Sequence, residues 1–516
     1  MTEPVPLRSW MAVLGASLGA FMVLLNIQGV GSLLTQIQAT LGASADEGSW
    51  IQTAFLVAAI VNIPLIGWLS RAFSVRIFMV VNGLLFIVLT MACGLARELD
   101  QMIVLRALQG LTVASMIPMA FTLVITLLPA ERQPTGIAIV MIQVALGTAV
   151  GPVLGGWLSD IWGWPALFFA NAIPGLVMVA MLWIALDPQP MRLELLGQGD
   201  WLGIATMAVG LASLQTMLQE GERQDWFDSP FIARLAATAV LCLAAFVWIE
   251  LHVEAPLINL RLLARRNFAA GATAMFLFGI ALFGSLFLLP GYLARVQGYN
   301  AAQIGTVVAW TALPQLLTIP LVPLLLRRID ARWLAGLGLV LFAASNIMIS
   351  GMTSDVAAEQ LLVPNVVRAV GEGLVATPLS LLALAGIGAA DAASASALLV
   401  ITRTLGGAIG IATLKSVLAR REQLHVDQMR EGVSLLGQDT RDRLELLTRY
   451  FMDRGGNDAV VAGRKAVAAM ARSVYEQATV MAFGDAFYIL GATLLLALVT
   501  VALYRRPRAV VAADAD

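Results

Sequence analysis

Apolar stretches of about twenty residues or more recur along almost the whole 516-residue chain, and that is the length an α-helix needs to cross a hydrocarbon core of about 30 Å. Inside a bilayer the backbone must satisfy its own hydrogen bonds, so such stretches are expected to fold as helices. They fall at about 10–33, 49–69, 77–96, 101–128, 135–158, 166–186, 201–219, 231–251, 268–291, 301–326, 332–351, 359–388, 394–417 and 484–504. Composition agrees, with 59% hydrophobic and 13% charged residues where a soluble domain carries roughly 25% charged ones. The chain reads as an all-α integral membrane protein of about fourteen spans. Its first stretch, from Trp10, lacks a small-residue cleavage site followed by a soluble domain and is read as a retained span.

Charge and residue inventory exclude several functions. Thirty-two basic and 33 acidic residues give a net charge of -1, so no basic field exists to draw nucleic acid. Cys93 and Cys242 both lie in apolar stretches, without a CxxC pair or a Cys/His cluster, so neither metal nor cofactor is expected. No GxxxxGK[ST] loop or HExxH motif occurs, the single GxSxG match, Gly15 to Gly19, lies inside the first apolar stretch and so forms no strand-to-helix elbow, and the only histidines, His252 and His425, fall on opposite expected sides of the membrane. ATP-driven transport on this chain and a membrane-embedded enzyme are both disfavoured.

An even number of spans puts both termini on one side. If that side is the cytoplasm, its short segments carry Arg8, Arg71, Arg76, Arg132, Arg192, Arg261, Arg265, Arg266, Arg327, Arg328, Arg332, Arg505, Arg506 and Arg508, against Arg97, Arg223 and Arg295 opposite. This asymmetry satisfies the positive-inside rule, which discounts long loops.

The sequence also repeats itself. Ile63-Pro64-Leu65 followed by Arg71 and Arg76 recurs as Ile319-Pro320-Leu321 followed by Arg327 and Arg332. Arg106-Ala107 recurs as Arg368-Ala369, and the run from Leu146 to Gly151 recurs from Leu405 to Gly410, in the same order and at a nearly constant offset. The expected organisation is two six-helix halves, 10–187 and 265–505, joined by a linker at 188–264 that carries two inserted spans. Carriers are commonly duplicated in this way, with the substrate site between the halves.

In the fifth stretch Gly147, Gly151 and Gly155 stand four residues apart, with Pro152 and Gly156 beside them, leaving one face nearly bare. A neighbouring helix can approach it closely. The run Gly147-Thr148-Ala149-Val150-Gly151-Pro152-Val153-Leu154-Gly155-Gly156 resembles the fifth-span antiporter signature of drug exporters in the major facilitator superfamily. Arg106-Ala107-Leu108-Gln109-Gly110 resembles the superfamily's fourth-span motif. Gly199-Asp200-Trp201-Leu202-Gly203, Asp225-Trp226-Phe227-Asp228-Ser229-Pro230 and Thr402-Arg403-Thr404-Leu405-Gly406-Gly407 resemble the EmrB/QacA group. The resemblance covers about 10–505 and implies the major facilitator fold and fourteen-span drug:proton antiport. Two positions depart from the pattern. Asn26, followed by Ile27, Gln28 and Gly29, occupies the place of the usual span-one aspartate. The loop from Gly67 through Arg71 to Arg76 keeps the first glycine and the arginines of the gating motif but lacks its aspartate and second glycine.

Ionisable side chains inside spans are costly, so each is a functional candidate whose partner needs naming. Glu372, in the middle of the twelfth stretch, follows Arg368 by four residues on one helix face, and Arg403 lies midway along the thirteenth. The three are expected to form one buried cluster. Burial opposes ionisation of Glu372 and an arginine favours it, which leaves two readings: a proton carrier, or a permanent ion pair that fixes packing. Arg106 either stabilises an interior polar network or acts on a nearby acid. Asp485, at the start of the last stretch, is either a mouth-lining acid or a helix cap. Asn26 and Gln28 are neutral and either bind substrate or bond across helices.

The sizeable polar segment, 418–483, carries Leu444, Leu447 and Phe451 and then Val467, Met470 and Val474 at helical spacing, so amphipathic helices outside the membrane are expected. In the EmrB-like subgroup this loop is periplasmic, and the resemblance implies a membrane-fusion adaptor as partner; a solvated spacer is the plainer alternative. The leading expectation is export of hydrophobic or amphipathic compounds from a bacterial cell across its inner membrane, driven by proton inflow. Asn26 keeps open an uncoupled facilitator, or an exporter of one metabolite or siderophore.

Overall fold

The computed structural model describes residues 5–197, 199–253, 256–388, 391–432, 437–455 and 458–504. Arg505, Arg506 and Arg508 lie outside them. The N-terminal half comprises α1 (Leu7–Leu41), α2 (Ala45–Asn62), α3 (Ile66–Phe73), α4 (Val75–Gly94), α5 (Leu99–Val113), α6 (Met116–Leu127), α7 (Gln133–Trp162), α8 (Pro165–Ala170) and α9 (Ala172–Ala185). A short α10 (Glu194–Gly197) leads into the inserted pair, α11 (Trp201–Glu220) and α12 (Pro230–His252). The C-terminal half comprises α13 (Arg266–Arg295), α14 (Ala301–Ala309), α15 (Gln315–Leu325), α16 (Ala331–Ser350), α17 (Ala358–Leu384), α18 (Ala392–Gly432), α19 (Gln438–Gly455) and α20 (Ala459–Ala502).

Thirteen segments among the described residues are long and apolar enough to cross a membrane. The expected tenth span is instead two helices, α14 and α15, parted at Trp310–Pro314. Proline at 314 removes a backbone donor and ends the first helix. Non-helical backbone at membrane depth must be shielded by protein, and Thr311 and Ala312 in the break are buried. Other helix ends carry local signals: Ser44 and Glu47 form a capping box on α2, Asn300 and Gln303 one on α14, and Gly42 closes α1 in a left-handed conformation.

The two halves pack alike. In the first, α1 packs against α6, α7 and α9, and α4 against α5 and α9; in the second, α13 packs against α17, α18 and α20, and α16 against α17 and α20. These are two six-helix bundles. Between them α7 meets α14, α15 and α17, while α18 meets α6 and the turn at Ile63–Leu65. The inserted helices pair with each other, and α11 also reaches α2 and α18. At the end carrying Arg71 one core joins both bundles, setting Ile63, Trp68 and Phe121 with Phe268, Ile319, Ala383 and Leu398. At the opposite end the N-terminal bundle has its own core around Leu33, Ile37 and Phe168. Large apolar side chains such as Val88, Val240 and Trp248 point outward, where acyl chains replace water as solvent.

The segment 418–483 is not a separate loop. α18 runs unbroken to Gly432 and α20 begins at Ala459, so both spans extend beyond their apolar parts, with α19 packed on α20. Leu444, Leu447 and Phe451 are half-buried there, but α20 turns Ala462 and Ala466 inward and leaves Val467 exposed. Asp485 consequently lies deep within α20 and caps nothing; the charged residues before it hid the helix's continuation.

Candidate functional site

Two buried polar clusters, one per bundle, occupy the interior. In the N-terminal bundle the Arg106 guanidinium donates from Nη1 to Asn26 Oδ1 (2.5 Å) and Gln109 Oε1 (2.6 Å), and from Nε to the Ile51 carbonyl (3.4 Å). Gln109 in turn donates to Thr90 Oγ1 (2.6 Å), and the guanidinium carbon stands 4.1 Å from the Phe55 ring centroid. Asn26, Arg106 and Gln109 are fully buried. Arg106 therefore bonds only to neutral groups, the interior-network alternative, and the charge costs several kcal/mol less than it would bare. Gln28 turns away: its Cβ lies against Gly151 on α7.

In the C-terminal bundle Arg368 Nε donates to Glu372 Oε1 (2.6 Å), and Gln315 Nε2 donates to Glu372 Oε2 (2.7 Å). The i, i+4 spacing on α17 brings the ion pair together, and the break in the tenth span sets Gln315 at the start of α15, facing it. Both Nη atoms of Arg368 are buried without hydrogen-bond partners, and Phe342 lies under the guanidinium at 5.5 Å. Arg403 does not join this cluster, contrary to expectation. α18 instead directs it into a cavity between the bundles, lined on the far side by Phe121 of α6. Asp485 accepts from His425 Nε2 (2.9 Å) and lies 3.5 Å from Arg421 Nε, so it ties α20 to the extended part of α18.

The glycine face of α7 lies directly on α1. A methyl group at Gly147 would strike the Phe21 carbonyl and Leu24, one at Gly151 would meet Leu25 and Gln28, and one at Gly155 would meet Ser32 and Gly29. Gly156 faces open space, outside this contact, and Pro152 sits inside the helix. The second bundle does the same with other letters: Gly406 and Gly410 of α18 abut Phe276 and Ile280 of α13. At the expected gating loop, Gly67 O accepts from Arg71 Nε (3.1 Å), and Arg76 stacks 4.0 Å from the Trp183 ring centroid. Ser74 there has φ 65°, a conformation suited to glycine.

Sequence reasoning missed two buried acids in the inserted pair. Glu220 accepts from Thr53 Oγ1 (3.0 Å) and Ser49 Oγ (3.3 Å) of α2 and pairs with Arg223 (2.5 Å). It lies one residue past the boundary expected for that span, which hid it. Glu250 accepts from the Leu257 N–H (3.1 Å) and folds the following turn back. The only available signal was an acid within an apolar run.

Two bundles related by repetition and meeting around a polar interior are the architecture of a membrane transporter of small molecules. The family model described as Major Facilitator Superfamily matches residues 16–411, and the chain belongs to that family. Among curated relatives, "Multidrug export protein EmrB" of Haemophilus influenzae is 32% identical over 82% of each chain, and "Colistin resistance protein EmrB" of Acinetobacter baumannii is 28% identical over 93% of each. The crystal structure of the human organic anion transporter MFSD10 (TETRAN) aligns over 96% of this chain and 100% of its own, with TM-score 0.61 and 16% identity, a likeness of fold alone.

Proposed function

We propose that this chain exports hydrophobic or amphipathic compounds by alternating access, coupled to proton inflow, with Glu372 as the proton carrier. The names of the multidrug export relatives support the direction and breadth of transport. The proton role rests on where Glu372 sits: its two oxygens join α17, through Arg368, to α15, through Gln315, and both helices pack on the glycine-faced α7 of the other bundle. Protonation of the carboxylate removes its charge and its acceptor strength, which releases Arg368 and Gln315 and frees α15 and α17 to shift against α7. Deprotonation restores the clasp.

In proteoliposomes bearing a pH gradient, the wild type is expected to accumulate a lipophilic cation or weak acid and Glu372→Gln to lose gradient-driven accumulation. Equal accumulation by both removes Glu372 from the mechanism. Asn26 favours a second reading, a facilitator or an exporter of a single metabolite or siderophore, and wild-type transport that ignores the gradient selects it.

The excess of arginine at the end shared by Arg71 and Arg327 supports cytoplasmic termini in a bacterial inner membrane. On that orientation the α18–α19–α20 extension is periplasmic. Its exposed Leu446, Tyr450, Val460 and Tyr475 offer an apolar surface to a membrane-fusion adaptor.

A further inference from the structure

The inserted pair touches both bundles, and it holds them unequally. On the N-terminal side α11 is fastened at both ends. Near Arg71, Trp201 meets Trp68 edge to face at 5.5 Å, and Trp68 Nε1 donates to the Leu195 carbonyl of α10 (3.1 Å). At the far end Glu220 accepts from Ser49 and Thr53 of α2 and pairs with Arg223. Glu220 is 2% exposed, and a carboxylate so buried is costly once any of these partners is lost, so this attachment is firm.

Toward the C-terminal bundle the hold is lighter. The tip lays Leu218 and Trp226 on Ala408 and Ala412 of α18, two methyl groups one turn apart that form a smooth face. The bond from Trp226 Nε1 to Ser416 Oγ (2.8 Å) crosses this contact, and half-buried Lys415 stands within electrostatic reach of Glu220 and Glu222. The turn that aims Trp226 is strained: Asp225 and Trp226 take φ 51° and 53°, and the Trp226 N–H donates to the Gly221 carbonyl at 2.7 Å. Such strain persists only where surrounding contacts hold it.

Near Arg71, α18 packs on the turn at Ile63–Leu65 and on α3, which continue the line of α2. Rocking of the bundles about that end changes the spacing of α2 and α18 at the other. α11, fastened to α2, cannot keep its present place on α18 through such a movement. The lighter contact gives way.

We propose that the inserted pair is an arm of the N-terminal bundle whose tip engages α18 in this access state alone, so that Trp226 and Ser416 are positioning residues that set the balance between the carrier's two states. This rests on the alternating-access reading above.

The test reads the spacing of the bundles directly. Spin labels at Ala39→Cys of α1 and Glu359→Cys of α17, exposed positions at the end away from Arg71, report it by double electron–electron resonance on the full chain in lipid nanodiscs. Cys242→Ser removes the accessible native thiol, and Cys93 is buried. Trp226→Phe keeps an aromatic ring and deletes the donor; Ser416→Ala deletes the acceptor. Each is expected to raise the population of the second distance about fivefold over that of the first, the weight of one hydrogen bond. The double variant is expected to go no further. Ser416→Ala carries the test if Trp226→Phe does not accumulate in folded form. A bond that served stability alone would lower the melting temperature and leave the ratio of distances where it was. Two distances in an unchanged ratio, in folded variants, therefore overturn the arm and leave alternating access standing. Single-variant shifts that add in the double show the two residues acting apart and also overturn it. One distance in the wild type and in every variant removes alternating access and the arm together.

Discussion

Asn26 and Ser74 show how single positions set local chemistry. Asn26 is the nearest side-chain oxygen to a fully buried arginine and is neutral, so Asn26→Asp turns a 2.5 Å amide contact into an ion pair with Arg106. Because the arginine is already desolvated, the added charge is expected to raise stability by about 1–3 kcal/mol, measured as a higher unfolding temperature in detergent; a lower one would mean that the amide, not a charge, is what the network needs. Ser74 sits at φ 65° and ψ 147° between α3 and α4, where a Cβ is strained. Ser74→Gly is expected to gain about 1 kcal/mol, less the few tenths lost with the serine cap of α4; an unchanged or lowered melt would mean that the hydroxyl's bond to Ile77 outweighs the strain.

Helix by helix, the glycine face of α7 makes the sharpest contrast. Gly147→Ala drives a methyl into the α1 backbone at Phe21 and is expected to cost about 1–3 kcal/mol. Gly156→Ala adds the same methyl to open space and is expected to be neutral or stabilising by up to about 1 kcal/mol. Side-by-side melts of the two variants check this, and equal losses would show that glycine matters here for backbone freedom and not for close approach. The inserted pair is held differently. Trp226 takes φ 53° at its hairpin tip and donates from Nε1 to Ser416 Oγ of α18 at 2.8 Å, so the strained turn and the docking bond come together. Trp226→Ala is expected to raise tryptic cleavage after Arg223, beside the turn, without unfolding the bundles, read by limited trypsin digestion and mass spectrometry.

Across the whole molecule, one hydrophobic core joins the two bundles at the end that carries Arg71. The arginines of that end are expected to lie together: Arg71→Cys and Arg327→Cys should react with a membrane-impermeant maleimide from the same side of sealed vesicles. Labelling from opposite sides would break the paired-bundle topology.

The sequence by itself determined that the chain is a run of membrane helices in two matching sets, because a bilayer asks only for length and apolarity along the chain, a one-dimensional demand that one-dimensional information meets. It also paired Arg368 with Glu372, four residues apart on one helix. It was silent or mistaken wherever partners are remote. Gln315 reaches Glu372 across 57 residues and Asn26 reaches Arg106 across 80, contacts that exist only once helices are packed side by side. Arg403 lies midway along the next stretch, which suggests the depth of that cluster, yet the facing of α18 sends it into the cavity between the bundles. Asp485 was placed at a helix start because charge interrupts the apolar pattern there, whereas the backbone continues through it. Apolar periodicity marks where a helix meets lipid; which way each polar side chain turns inside the bundle is decided by the rotation and contact of whole helices, and that belongs to the tertiary structure alone.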